Sequence, residues 1–315
     1  MNRLIFVFIA LNLFMSCKGA DGSTVQSSLP ELKQGKLVYH TYSCYDCMDS
    51  KIMLYEFASG SIKTLSTDWK IQNPMNAHFS PDGKQITFMG IASNGSWDIF
   101  LYTLDTSQEP VNLTNSAAVR DEDPKFSFDG KSIIFKQNGQ LALFQIANGQ
   151  VLKLTDFGET TLSMPYFNRA GNKVVCSVGN DGSSAIYLYD ISSKTLKKLY
   201  DRNGIAEYYP VTLNDQCFYF SAHLSELNQV DQLYLGYWDG RQSEYLPFNR
   251  ADADYSDACP VNEEWLILSS TRKGTRGGYD LYIANRVTGD IHSLTEYNNQ
   301  INSEKWELGA SYTPY

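Results

Sequence analysis

The chain has 315 residues, of which 43% are hydrophobic, 13% aromatic and 19% charged, a make-up that excludes a mostly disordered chain and leaves one large domain or two ordinary ones. Its 26 basic residues against 35 acidic ones give a net charge of −9. A generic nucleic-acid binder is thereby disfavoured, because phosphate contact needs a basic surface.

The first element is a leader. Met1-Asn2-Arg3 is a short basic start, and Leu4 to Met15 is apolar except for Asn12. About a dozen apolar residues are too few to span a bilayer as a helix and suit a secretory segment. Leu13-Phe14-Met15-Ser16-Cys17 resembles the lipobox of bacterial lipoproteins. That resemblance implies a signal peptide over residues 1–16 and lipid attachment at Cys17. Acyl chains contribute about 0.8 kcal/mol per buried CH₂, enough for stable anchoring when more than one is present. Lys18, where some bacterial lipoproteins carry an inner-membrane retention Asp, favours the outer membrane. The Gly/Ser-rich stretch Gly19 to Ser28 extends into a flexible tether over residues 17–36.

The remainder repeats. Residues 37–65 hold three strands, Leu37 to Tyr42, Lys51 to Phe57 and Ser61 to Leu65. After them Phe79-Ser-Pro-Asp-Gly-Lys-Gln-Ile-Thr-Phe88 is echoed by Phe126-Ser-Phe-Asp-Gly-Lys-Ser-Ile-Ile-Phe135 and Phe167-Asn-Arg-Ala-Gly-Asn-Lys-Val-Val-Cys176, then more loosely from Val211 and Pro260. Each is a strand, a tight turn and an alternating strand, with Gly83, Gly130 or Gly171 supplying the turn in the first three. Third strands recur at Trp97, Ser184, Asp231 and Tyr279, and fourth strands at Val111, Val151, Leu196 and Ile291. Four strands in a period of about 45 residues are the signature of propeller blades. The first blade lacks its inner strand, and an orphan near Trp306 supplies it from the C-terminus, which predicts a ring of six blades with no open edge.

Phe79 to Lys84 and Asp98-Ile-Phe-Leu-Tyr102 resemble the TolB-type propeller with its WD40-like (PD40) repeat, and Ser270 to Tyr282 is similar to envelope lipoproteins of the Bacteroidota. The resemblance covers residues 37–308. It implies an all-β six-bladed propeller over 37–315 and an address in the cell envelope, on the periplasmic face or cell surface of the outer membrane.

Acids gather where the first strands begin. Asp121, Glu122 and Asp123 precede Pro124, Glu207 precedes Pro210, Asp252, Asp254 and Asp257 precede Pro260, and Glu304 precedes Trp306. In a propeller all inner strands enter the central channel from one face. Asp121, Glu122, Asp123, Glu207, Asp254, Asp257 and Glu304 are therefore expected to converge on one mouth, as a site for a basic segment of an envelope protein or peptide, or for Ca²⁺. A merely solvated acidic rim is the competing reading, and no Asp-x-Asp-x-Asp-Gly calcium loop is present. No other cofactor or metal is expected.

Cys44-Tyr-Asp-Cys47 sits between strands of the first blade and is open to a local disulfide, two free thiols, or redox or metal work. Cys176, Cys217 and Cys259 read as small buried hydrophobes. His40, His78, His223 and His292 fall in different blades, with His78 on an inner strand. Neither a Gly-x-Ser-x-Gly elbow nor a phosphate loop occurs, so enzymatic chemistry has little support. The alternative is a glycan-binding protein or a propeller-type polysaccharide lyase, with Tyr208, Tyr209 and Tyr255 stacking on sugar rings.

Overall fold

A computed structural model describes residues 28–116, 119–179 and 183–315, and contains six antiparallel sheets of four strands each. The chain enters with β1 (Lys36–Tyr42), β2 (Lys51–Glu56) and β3 (Ser61–Thr64), the outer three strands of blade one. Blade two is β4 (Gln72–Phe79), β5 (Gln85–Ile91), β6 (Trp97–Thr103) and β7 (Val111–Asn112). Blade three is β8 (Asp121–Phe126), β9 (Ser132–Gln137), β10 (Gln140–Gln145) and β11 (Gln150–Lys153). Blade four is β12 (Leu162–Phe167), β13 (Lys173–Val178), β14 (Ala185–Asp190) and β15 (Thr195–Tyr200). Blade five is β16 (Glu207–Thr212), β17 (Cys217–His223), β18 (Asp231–Tyr237) and β19 (Glu244–Tyr245). Blade six is β20 (Tyr255–Pro260), β21 (Trp265–Ser270), β22 (Asp280–Asn285) and β23 (Ile291–Ser293). The last strand, β24 (Trp306–Thr313), pairs antiparallel with β1 and closes the ring.

The turn between the first two strands of each blade explains the repeat chemically. In blade two the Ser80 hydroxyl donates to Asp82 Oδ1 at 2.6 Å and accepts from the Gln85 amide at 2.9 Å, while Asp82 accepts from the Lys84 amide at 3.1 Å. Ser127, Asp129, Lys131 and Ser132 repeat this in blade three. In blades four, five and six one Asn carboxamide (Asn168, Asn214, Asn262) accepts two backbone N–H groups of the turn. The degenerate copies thus keep the job with a different side chain, as Asx turns allow.

Six apolar clusters hold the ring together, one between each pair of neighbouring blades. Between blades one and two, for example, Val38, Ile52 and Leu54 meet Phe79, Ile86 and Phe88, and Phe88 stacks on Trp69 and Phe100. Alternation within each strand feeds both faces, so every blade is buried on two sides. Part of the stretch 28–36, expected to belong to the tether, touches the ring. Leu29 and Leu32 pack on the cluster between blades six and one, and the Pro30 carbonyl accepts from the Tyr297 hydroxyl. The signal peptide 1–16 and Cys17 fall outside the described residues. No helix among the described residues is long and apolar enough to cross a membrane.

In β24 the residue in the place of Phe79, Phe126 and Phe167 is Tyr312, six residues beyond Trp306. Trp306 stands at the mouth of the ring instead, against Tyr42 and Tyr279.

Candidate functional site

Every inner strand carries the same irregularity. The register with the second strand slips between Met75 and His78, Glu122 and Lys125, Ser163 and Tyr166, Tyr208 and Val211, Ser256 and Cys259, and, in β24, between Leu308 and Ser311. In each case two residues oppose one, which is a β-bulge. The first bulge residue is in the left-handed region in all six blades: Asn76, Asp123, Met164, Tyr209, Asp257 and Gly309 have φ between 48° and 62°. The next residue is always Ala or Pro: Ala77, Pro124, Pro165, Pro210, Ala258 and Ala310. A bulge tolerates Pro because its N–H has left the ladder. At Gly309 only glycine fits, since an added Cβ would lie 2.6 Å from the His40 ring.

These bulges turn side chains towards the axis in two tiers. The bulge residues form a tier nearer the mouth where the inner strands enter. Two positions on, His78, Lys125, Tyr166, Val211, Cys259 and Ser311 form a second tier. Both tiers line a cavity of about 440 Å³ that continues to the strand-one-to-strand-two turns, past Pro81, Phe128, Leu213, Val261 and Tyr312.

The upper tier holds Asp123 and Asp257. Asp123 Oδ1 accepts from Asn76 Nδ2 at 3.1 Å, and Asp257 Oδ2 accepts from the Gly309 amide at 3.1 Å. Burial raises the pKa of both, with Lys125 pulling the other way. In the lower tier His78 Nδ1 accepts from the Phe126 amide at 3.2 Å, so a neutral ring carries its proton on Nε2, 2.9 Å from the Tyr166 hydroxyl oxygen. Burial, reinforced by Lys125, holds His78 well below the ordinary imidazole range.

The expected mouth acids divide. Only Asp123 and Asp257 face the cavity. Asp121 and Glu207 do not converge with them: both are buried inside the blades, Asp121 accepting from Gln137 and Glu207 from the Arg202 guanidinium at 2.9 Å. Each leaves one carboxylate oxygen with no hydrogen-bond partner among the described residues, as does Glu307 at the same position of blade one. The bulge is the reason, because it reverses the inward–outward alternation midway along the strand. Glu122 is held between Arg120 (2.7 Å) and Lys136 (2.8 Å). Asp254 accepts from the Asp231 amide and the Thr271 hydroxyl, and Glu304 is exposed at the rim.

Cys44 and Cys47 are joined in a disulfide. The turn they close projects Tyr45, 57% exposed, over the same mouth, where it feels Tyr42 and Arg120. Of the tyrosines considered for sugar stacking, Tyr255 is fully buried, Tyr208 donates to Asp231, and Tyr209 alone lines the cavity. Burial pushes the Asp231 carboxyl up to about 7. Among the described residues no group of three His, Cys, Asp or Glu is placed to hold a metal. Sequence reasoning missed Lys125 and the bulge itself, whose signal was the Ala or Pro that recurs just before the second tier.

No family model matches the chain, and no curated protein matches it. Solved structures do. TolB from Acinetobacter baumannii superposes with a TM-score of 0.69 at 17% identity, over 91% of this chain and 68% of that one. A putative TolB from Agrobacterium tumefaciens gives 0.59 at 13% identity, over 89% and 99%. The chain has the TolB-like six-bladed propeller fold. An oligogalacturonate lyase in complex with manganese shares the TolB-like ring at a TM-score of 0.55 and 17% identity, over 83% of this chain and 74% of that one. The same ring therefore serves different chemistries, and function has to be argued from the channel.

Proposed function

We propose that this TolB-like propeller is a non-enzymatic binding module of the cell envelope, held to its membrane by lipid at Cys17, that receives a basic peptide segment of a protein partner at the strand-entry mouth. The observation that supports this is the pair Asp123 and Asp257, which face the axis beside Tyr209. Burial opposes their ionisation. A Lys or Arg side chain entering between them would relieve that cost.

Crosslinking in intact envelopes is the test. Wild-type protein is expected to give a discrete protein adduct that Asp123→Asn/Asp257→Asn loses by ~tenfold or more. The same adduct at the same yield from both proteins would reject the mouth as the site. Signal on a glycan array, with release of unsaturated sugar products, would move the assignment to glycan binding or lyase chemistry. Separately, Cys17→Ser is expected to move the protein from the membrane to the soluble fraction. Unchanged fractionation would remove the lipid anchor from the proposal.

A further inference from the structure

The lower tier of the channel has a chemistry opposite to that of the mouth. Three of its polar groups are hydrogen-bond donors with no acceptor among the described residues. Because His78 Nδ1 is occupied by the Phe126 amide, Nε2–H donates to the Tyr166 oxygen, and the Tyr166 proton is left to point into the cavity. The Ser311 hydroxyl accepts from the Phe79 amide at 3.2 Å, which leaves its own proton unspent. The Lys125 side chain lines the same cavity and forms no ion pair or hydrogen bond with a described residue. Asp123 and Asp257 act on it only through space. Three donors, one of them cationic, thus meet on one tier from blades three, four and one.

The cavity reaches this tier from the side of the strand-one-to-strand-two turns. There its walls carry the apolar side chains Pro81, Phe128, Leu213, Val261 and Tyr312, with Asn262 and Glu263 at the rim, where Glu263 accepts from Asn214 Nδ2 at 2.7 Å. At that rim stands Arg169, over the Phe128 ring and donating to the Leu213 carbonyl at 2.9 Å. An apolar vestibule ending on unspent donors is the shape of a pocket for an acid with a hydrophobic neighbour. Burial lowers the Lys125 pKa, and an incoming anion would favour its charged form.

We propose that the turn-side opening of the channel binds a carboxylate attached to an apolar group, the carboxylate accepting from Lys125, Tyr166 and Ser311 and the apolar group lying against Phe128 and Tyr312. A peptide C-terminus and a free carboxylic acid present the same chemistry. This site is separate from the acidic mouth and does not rest on the partner proposed for it.

Calorimetry on the mature full chain tests the assignment with three probes: a short neutral peptide ending in Phe as the free acid, the same peptide as the C-terminal amide, and 3-phenylpropanoate. The free acid is expected to bind at least ~tenfold tighter than the amide, since a charge-assisted bond to Lys125 is lost. Lys125→Met is expected to abolish that preference without lowering the thermal midpoint, because it removes a half-buried charge. Tyr166→Phe is expected to weaken the acid several-fold. If 3-phenylpropanoate matches the peptide, the ligand is a small acid; if it binds much more weakly, the ligand is a peptide terminus. Equal affinity for acid and amide, no binding of either acid at millimolar concentration, or an unaltered preference in Lys125→Met would each overturn the proposal. A channel that loses the acid preference but keeps its crosslinked protein adduct would separate the two openings.

Discussion

Gly277→Ala is expected to destabilise the ring by on the order of 3 kcal/mol, through steric conflict at the closure. A Cβ at residue 277 would lie 1.7 Å from the Lys305 carbonyl oxygen, and one at 278 would lie 2.0 Å from the Trp306 indole nitrogen. Both contacts are with the entry of β24, the strand that completes blade one. Relief requires that entry to move away from blade six, and the bond from the Glu307 amide to the Tyr279 carbonyl (2.8 Å) moves with it. Urea unfolding followed by tryptophan fluorescence reads the effect. Ala at Gly274, where an added Cβ meets nothing within 4 Å, provides the comparison, with only its positive φ at stake. Equal loss in the two variants would show that the flat Gly277-Gly278 seat is not what holds the closing strand.

Glu307→Gln is expected to flatten the dependence of stability on pH. Glu307 is 1% exposed. Its Oε1 accepts from Ser303 and Thr41, while Oε2 has no partner among the described residues. Burial raises the carboxyl from 4.5 to about 7. Folding therefore favours the protonated form, and its contribution is fully present below pH 4.5. As the pH climbs towards 7 the unfolded chain gives up its proton while the folded chain keeps it, and stability falls by roughly 3 kcal/mol. Gln carries no charge at any of these values. The loss of stability between pH 5 and pH 8 is thus expected to shrink in the variant, and identical slopes in both proteins would show that Glu307 is ionised without cost. Asp231, also near 7, titrates in the same direction and accounts for part of the remaining slope.

What the sequence made legible was chemistry that repeats. Ser80 with Asp82 and Ser127 with Asp129 mark the turns because the same hydroxyl and carboxylate cap the same amides, so the blade count followed from spotting them. The channel was legible only as a place where acids collect. Strict alternation along an inner strand puts Asp121 and Asp123 on one face, yet the bulge at Asp123 sends one into the blade and the other to the axis. A bulge is a backbone event. Its trace in the residues is faint, a Pro or Ala after a residue as varied as Asn, Asp, Met, Tyr or Gly. Lys125 was overlooked for the same reason: on a regular strand it reads as an ordinary solvated lysine. The closing strand is legible near Trp306, although Tyr312 is the residue that takes the position of the aromatic anchors.

The way blade one is assembled also sets how the protein bears load. Its second strand, β1, is the first strand of the chain, and it lies between β24 on one side and β2 on the other, antiparallel to both. Tension applied at the N-terminal end runs along β1 and so shears two ladders of hydrogen bonds at once, instead of peeling one from an edge. Leu29 and Leu32, packed on the ring ahead of β1, take up strain before either ladder does. The point at which the ring is sewn shut is thus also the point at which it resists being pulled.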